Sequence, residues 1–407
     1  MEQITEQAQQ TLNRTWWQKN CRTLIIKSLK PLTGAKLEIR DGKDSVSFGS
    51  EDAEINAVMI IRDPQTYVNI IKGGSIAAAE DYISGLWTTP DLTALIRVFA
   101  IAETQLDSIE NKQSLLSKFK NWFQHKSNKN SLSQSKQNIL AHYDLGNELY
   151  KRFLDKEMVY SSAIYAHQGQ SLEDAQQNKF ELICQRLHLT ASDQVVEIGT
   201  GWGGLAMYIA ENYGCHVTTT TISNQQHDYV EQQIKQRGLD DKITLLNKDY
   251  RLLEGKYDKL VSIEMIEAVG KEYFEQFFSK CNELLKPGGK SLIQAITIAD
   301  QRFEHYSNNV DFIQKYIFPG GCLPSVAVMT DQLAKHTQMV PEALFDIGLD
   351  YAQTLNDWKE RFLHTWHDIQ EFGFDERFKK LWLYYLCYCE AAFLERKVST
   401  VHLVARK

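Results

Sequence analysis

"QVVEIGTGWGGLAMY", residues 194–208, sets four glycines within six positions between an apolar run and a helical pattern. A strand that ends in such a turn brings the next helix close to it, and the N–H groups at that helix's N-terminus face a ligand. Gly199, Gly201, Gly203 and Gly204 therefore mark a cofactor turn. Their spacing alone suits a dinucleotide as well as S-adenosylmethionine.

Working outward, helical and apolar patterns alternate from about residue 175. "FELICQRL" reads as helix, "QVVEIG" as strand, "GLAMYIAENYG" as helix, "HVTTTTIS" as strand and "DYVEQQIKQRG" as helix. "KITLLNKDY" and "KLVSIEMI" read as strands, "YFEQFFSKCNELLK" as helix and "SLIQAITI" as strand. This order predicts an α/β fold: a Rossmann-like, mostly parallel sheet with helices on both faces and its ligand at the strands' carboxyl ends. A smaller α+β domain is expected before it. There "AEINAVMIIRDPQTYVNIIKGG" suggests strands and a helix ended by Gly73 and Gly74, and "AAAEDYISGLW" suggests another helix.

Composition narrows the class. The chain has 407 residues, 43% hydrophobic and 24% charged, with a formal net charge of -7, which argues against a general nucleic-acid binder. Seven cysteines (21, 184, 215, 281, 322, 387 and 389) form no framework and no zinc-type spacing, so reduced thiols in a cytoplasmic protein and no metal are expected. No apolar run approaches the roughly 20 residues of a membrane-spanning helix, and no secretory signal is evident.

The expected boundaries are a small domain over 1–104, a basic linker over 105–136 and a catalytic domain over 137–407. Residues 111–143 contain no Asp or Glu but six lysines. Within them "LLSKFKNWFQHK", 115–126, spaces Leu115, Leu116, Phe119, Trp122 and Phe123 helically among Lys118, Lys120 and Lys126. Such a helix suits an anionic membrane surface, and equally a face docked on its own protein. Residues 298–350, rich in aromatics, are expected as an insertion that roofs the substrate site.

Two features separate the cofactors. A nicotinamide fold would carry an acid about 20 residues after the turn, for the ribose hydroxyls; here Thr218, Thr219, Thr220 and Thr221 stand instead. Asp249 and Tyr250 end the third strand, where a carboxylate and an aromatic face suit an adenine, and "LLKPGGK" precedes the fifth strand. These point to S-adenosylmethionine.

"HYDLGN" (142–147), "MVYSSAIY" (158–165), "VVEIGTGWGGLA", "TTISNQQ" (220–226), "KDYRLL" (248–253), "IEMIEAVG" (263–270), "YIFPGGCLPS" (316–325) and "DYAQTLNDWKERF" (350–362) together resemble the cyclopropane-fatty-acyl-phospholipid synthase family. The resemblance implies a two-domain class I methyltransferase, held peripherally at the inner face of the membrane. Its activity would be addition of the methyl carbon of S-adenosylmethionine across a double bond in an unsaturated phospholipid acyl chain. It also implies that Tyr160, Ser161, Glu197, Gly199, Gly201, Gly203, Thr221, Ile222, Gln226, Asp249 and Tyr250 hold the cofactor. A homodimer is left open.

The chemistry sets its own requirements. An isolated alkene is a poor nucleophile, so methyl transfer needs close alignment. The carbocation that forms needs negative charge and a dry site, and one proton must leave so that the ring can close. In the family the base is thought to be a bicarbonate held by a Glu, a Tyr, a His, a Cys and a backbone group. The resemblance assigns the first two to Glu267 and Tyr351 and includes Ile296 in the site. Ser162 stands at the family's Cys and Gln294 at its His. Their hydroxyl and amide are expected to hydrogen-bond an oxyanion, though neither supplies a cation. A displaced base would give a methyl- or methylene-branched chain, and loss of catalysis would leave a lipid- or cofactor-binding relative. Cys389 matches a cysteine once proposed as functional, although its aromatic neighbours suggest a structural thiol.

Overall fold

The computed structural model describes residues 12–102 and 146–407, so the segment 115–126 lies outside the described residues. The chain forms two compact units. The first gathers the N-terminal residues with 309–315 and 373–397, two stretches that the sequence reading assigns to the catalytic domain. The second takes most of the rest, including 398–407.

In the first unit four strands lie in the order β2-β1-β3-β4 (Asp44–Gly49, Lys36–Asp41, Asn56–Ile61 and Trp87–Thr88). β1 pairs antiparallel with β2 and parallel with β3. The buried Asp41 carboxylate accepts from Arg14, Arg22 and the Tyr67 hydroxyl, so the charge at the end of β1 is paired rather than stranded. The helical run Gln65–Ser84 is two helices that meet at a kink at Gly74, so the break expected at Gly73 and Gly74 is present. Gly74 takes φ 59° and ψ -143°, a kink only glycine accepts easily, and the helix resumes because Ile76, Ala79 and Ile83 still have a core to bury.

The second unit carries a seven-stranded sheet in the order β10-β11-β9-β8-β5-β6-β7. β5 (Gln194–Ile198), β6 (His216–Thr221), β7 (Ile243–Asn247), β8 (Tyr257–Ile263) and β9 (Leu285–Ile298) are mutually parallel, as the alternating pattern predicts. The chain leaves β5 in one direction for β6 and β7, then returns to β8 on its other side. The switch point thus lies between β5 and β8, where a ligand crevice opens at the carboxyl ends. β10 (Val340–Asp346) and β11 (Val398–Arg406) add antiparallel strands that the sequence reading lacks. The expected insertion therefore ends partly inside the sheet. β8 is also shorter than "KLVSIEMI" suggests: it stops at Ile263, and the chain turns out of the sheet at Glu264.

Apolar strand faces explain the layers. Val195, Val196, Leu260, Val261, Leu292 and Ile293 are almost wholly buried, and Phe277, Phe278, Ile183 and Ile209 cover them from the helices. At roughly 25 cal/mol per Å² of apolar surface, this burial is the main favourable term holding the sheet rigid under the site.

Candidate active site

The glycine turn at the end of β5 is built as its sequence implies. Gly199 has φ 96° and Gly203 φ 87°, and a Cβ on Gly203 would lie 3.0 Å from both Met207 and Val230. A Cβ on Gly201 would meet nothing within 4 Å, so the middle of the turn faces open space. Just before the turn, Glu197 is buried and its Oε2 accepts from the Thr219 hydroxyl at 2.5 Å. Burial pushes its carboxyl up to about 8, so it carries a proton at neutral pH. The group binds protons more strongly folded than unfolded, so its stability contribution is full below the ordinary carboxylate pKa and is lost as pH rises toward 8. Glu197→Gln should accordingly raise the melting temperature at pH values near 8 and leave it little changed in mild acid. A gain confined to acid would contradict this assignment.

The other residues assigned to cofactor binding fall into two groups. Thr221 donates to Gln226 Oε1 at 2.8 Å, and both are buried at the end of β6 with half-buried Ile222 between them. Ser161 accepts from the buried Lys179 ammonium at 2.8 Å, and the Tyr160 ring lies 5.2 Å from Trp358 and 5.3 Å from Tyr150. Asp249, by contrast, is already engaged: Arg251 Nε and Nη2 donate to its two oxygens at 2.8 and 2.6 Å. Tyr250 turns its ring into the core, 5.7 Å from Phe277.

Across the switch point, three donors converge on a single carboxylate, and it belongs to Glu264. Oε1 accepts from the Ser162 amide at 2.9 Å and from Gln294 Nε2 at 2.7 Å, while Oε2 accepts from the Tyr351 hydroxyl at 2.8 Å. Glu264 holds φ 49°, a left-handed conformation that L side chains rarely adopt. Strain of this kind persists only where the surroundings fix it, and here three hydrogen bonds do so. Burial raises the carboxyl above its usual range, while the bonds from Ser162, Tyr351 and Gln294 and the Lys179 charge pull the other way.

The Gln294 amide is itself oriented. Arg186 can only donate, so its 2.5 Å contact makes His402 Nδ1 an acceptor and places the imidazole proton on Nε2. That proton goes to Gln294 Oε1 at 2.8 Å, which turns the NH2 group toward Glu264. His402 is fully buried, and burial beside Arg186 lowers its pKa well below the ordinary value, so the ring is neutral. The chain of donors thus runs from Arg186 through His402 and Gln294 to the accepting Glu264 carboxylate.

Glu267, one turn beyond, accepts from the Ile296 amide through Oε1, while its buried Oε2 has no protein partner. Burial first, and then the neighbouring Glu264 charge, push its carboxyl up to about 8. Two carboxyl groups with unequal donor sets lie close together: burial raises both, and Glu264, with three donors and the Lys179 charge, ionises before Glu267.

Of the catalytic residues assigned from sequence, Ser162, Gln294 and Tyr351 meet on Glu264, and Ile296 meets Glu267. Ser162 contributes its amide; its hydroxyl instead donates to the Ala163 carbonyl at 2.9 Å. Cys389 lies on the helix Glu376–Leu394 of the first unit, and burial pushes its thiol pKa up, so it is no ready nucleophile. The sequence reading passes over Glu264, His402, Arg186 and Lys179. Glu264 had a signal, since it is the first residue beyond an apolar strand at the switch point.

A profile of the mycolic acid cyclopropane synthetase family matches residues 130–403. The chain belongs to this family. A cyclopropane-fatty-acyl-phospholipid synthase of Escherichia coli K12 is 36% identical over 88% of this chain and 88% of its own length. A tuberculostearic acid methyltransferase of Mycobacterium tuberculosis is 33% identical over 86% of this chain and 83% of its own. Among solved structures, a mycolic acid cyclopropane synthase complexed with SAH and CTAB superposes with a TM-score of 0.62 at 25% identity, covering 67% of this chain and 98% of that one. This cyclopropane synthetase relative is therefore an S-adenosylmethionine-dependent methyltransferase of the cyclopropane-fatty-acyl-phospholipid synthase type, acting on lipid. Its fold is the class I methyltransferase fold.

Proposed function

We propose that this enzyme transfers the methyl carbon of S-adenosylmethionine to the double bond of an unsaturated acyl chain in a membrane phospholipid and closes a cyclopropane ring. The observation that carries this reading is the buried carboxylate cluster of Glu264 and Glu267 at the switch point, across from the glycine turn. S-adenosylmethionine supplies an electrophilic methyl group when bound. Gly201, Thr221, Gln226, Ser161 and Tyr160 are the residues to hold it, with open space over Gly201 for its methionine end. An adenine role for Asp249 and Tyr250 remains part of the proposal, and requires the Arg251 pair with Asp249 and the buried Tyr250 ring to give way.

The pocket walls suit a cationic transition state. Tyr160, Trp358 and Tyr351 form one aromatic run, with ring centroids 5.2 and 6.0 Å apart in succession. Aromatic faces attract positive charge, and a dry wall keeps water from trapping a carbocation as an alcohol. A purified preparation given methyl-labelled cofactor and a monounsaturated phospholipid should place label in the acyl chain. Label absent from lipid, or found on a small soluble amine, would overturn the reading. A branched product is the second reading, favoured by Gln294 in place of the family's His and by the tuberculostearic acid methyltransferase among its relatives.

Action at the inner membrane surface belongs to the same proposal. No described helix is long and apolar enough to cross a membrane. The helix Trp16–Leu29 contains no acid, leaves Trp16 and Trp17 each 68% exposed and Leu24 50% exposed, and carries Lys19 and Lys27, with Lys30 at its end. Tryptophan prefers the headgroup region, and each lysine near an anionic surface contributes roughly 1 kcal/mol. Replacing Trp16 and Trp17 together by Ala is expected to lower co-sedimentation with anionic vesicles at unchanged melting temperature. Undiminished sedimentation would contradict a role for this helix.

A further inference from the structure

We propose that Glu264 is this enzyme's own proton acceptor, a resident carboxylate standing where a bound bicarbonate would otherwise have to sit. The inference rests on the reading above and names the base within it. It follows from where the donors go.

A bicarbonate held as the resemblance implies would draw on residue 162, the side chain of residue 294, the Tyr351 hydroxyl, a backbone amide near Ile296 and Glu267. In this chain the Ser162 amide, the Gln294 amide group and the Tyr351 hydroxyl already serve Glu264, and the Ile296 amide serves Glu267. A second anion would also enter beside a carboxylate of like charge, with only the Glu267 carboxyl left to offset its desolvation. Bicarbonate does not fit these residues. The Glu264 carboxylate offers the same chemistry without a binding step: two oxygens, a fixed orientation and burial.

The two oxygens are not equivalent. Oε1 takes two donors and Oε2 takes one, so a lone pair remains on Oε2, beside the Tyr351 hydroxyl. In the step proposed, the alkene π pair forms the bond to the methyl carbon as the sulfur–carbon pair leaves with sulfur. Glu264 Oε2 then takes one proton from that carbon, and the C–H electron pair closes the third side of the ring on the neighbouring cationic carbon. Each turnover releases one proton, first held on Glu264. The chain from Arg186 through His402 to Gln294 fixes the amide so that Oε1 stays occupied and Oε2 stays free to act.

The backbone supplies the variant. At φ 49° a glycine is at ease, so Glu264→Gly removes the carboxylate while relieving strain, and the fold should survive, as a melting curve would show. Wild type and Glu264→Gly are assayed with monounsaturated phospholipid vesicles and methyl-labelled cofactor in carbon-dioxide-depleted buffer, without and with added bicarbonate. The wild-type rate is expected to change by less than about two-fold on adding bicarbonate, and Glu264→Gly to lose about 100-fold or more in bicarbonate-free buffer. Added bicarbonate, entering the vacated donors, is expected to restore part of the variant's activity. A wild-type rate that rises more than about ten-fold with bicarbonate, or a glycine variant within about three-fold of wild type without it, would overturn the inference. Wild type that is active only with bicarbonate defeats this inference alone; wild type inactive in both buffers defeats the function proposed above and this inference with it.

Discussion

Tyr351→Phe is expected to lower kcat on unsaturated phospholipid by about 100-fold, the usual cost of deleting one donor to a buried oxyanion in an active site. The substitution removes one oxygen atom. The ring stays packed edge-on 6.0 Å from Trp358, so the wall of the pocket keeps its shape. What is lost is the 2.8 Å bond to Glu264 Oε2, and the carboxylate is too deeply buried for water to replace it. The aromatic packing persists, so S-adenosylmethionine affinity should stay within about two-fold of wild type, with the loss falling on kcat. A variant within about three-fold of wild type in kcat would show that Tyr351 does not hold the acting carboxylate.

Gly201→Val should act on the other half of the site. A Cβ at this position meets no protein atom within 4 Å, so the added side chain starts into the open space assigned to the methionine end of the cofactor. At φ 53° a side-chain-bearing residue costs roughly 1–2 kcal/mol, enough to lower the melting temperature by a few degrees without unfolding the protein. Affinity for S-adenosylmethionine, measured by calorimetry, is expected to fall by more than about 100-fold because displaced contacts have nowhere to go. Retained affinity in a folded variant would move the cofactor away from this turn.

Much of this architecture was legible because its signals are local. The strands β5, β6, β7 and β8 show as apolar or β-branched runs, and the turn after β5 shows in its glycines. β10 and β11 were not, for opposite reasons: β10 is exposed along nearly its whole length, and β11 is buried along nearly its whole length, so neither shows a two-residue period. Gly73 and Gly74 look like a helix stop, and the helix does break at the non-helical Gly74 before a second one follows.

The site divides in the same way. Ser162, Gln294, Ile296 and Tyr351 could be assigned from sequence, but their common partner could not. Glu264 and Glu267 are three residues apart in one short motif, and nothing local says which of them turns into the donors. A positive φ at Glu264 is a property of the folded chain. His402 and Arg186 are more remote still, since Gln294 reaches His402 only through the pairing of β9 with β11. The use of the Ser162 amide in place of its hydroxyl is also decided by how the 160–165 loop is held: Thr354 accepts from the Ala163 amide at 3.0 Å and Asp350 from the Tyr165 amide at 2.9 Å.

Under the proposed mechanism a buried carboxylate removes one proton from the transferred methyl group. The most direct test is product analysis after turnover with S-adenosylmethionine carrying a fully deuterated methyl group on a monounsaturated phospholipid. The expected product is an acyl chain that has gained one carbon and retains two of the three deuterons on a cyclopropane methylene, read by mass spectrometry and NMR. A product that retains all three deuterons would mean that the proton is lost from elsewhere in the chain, and would contradict that mechanism.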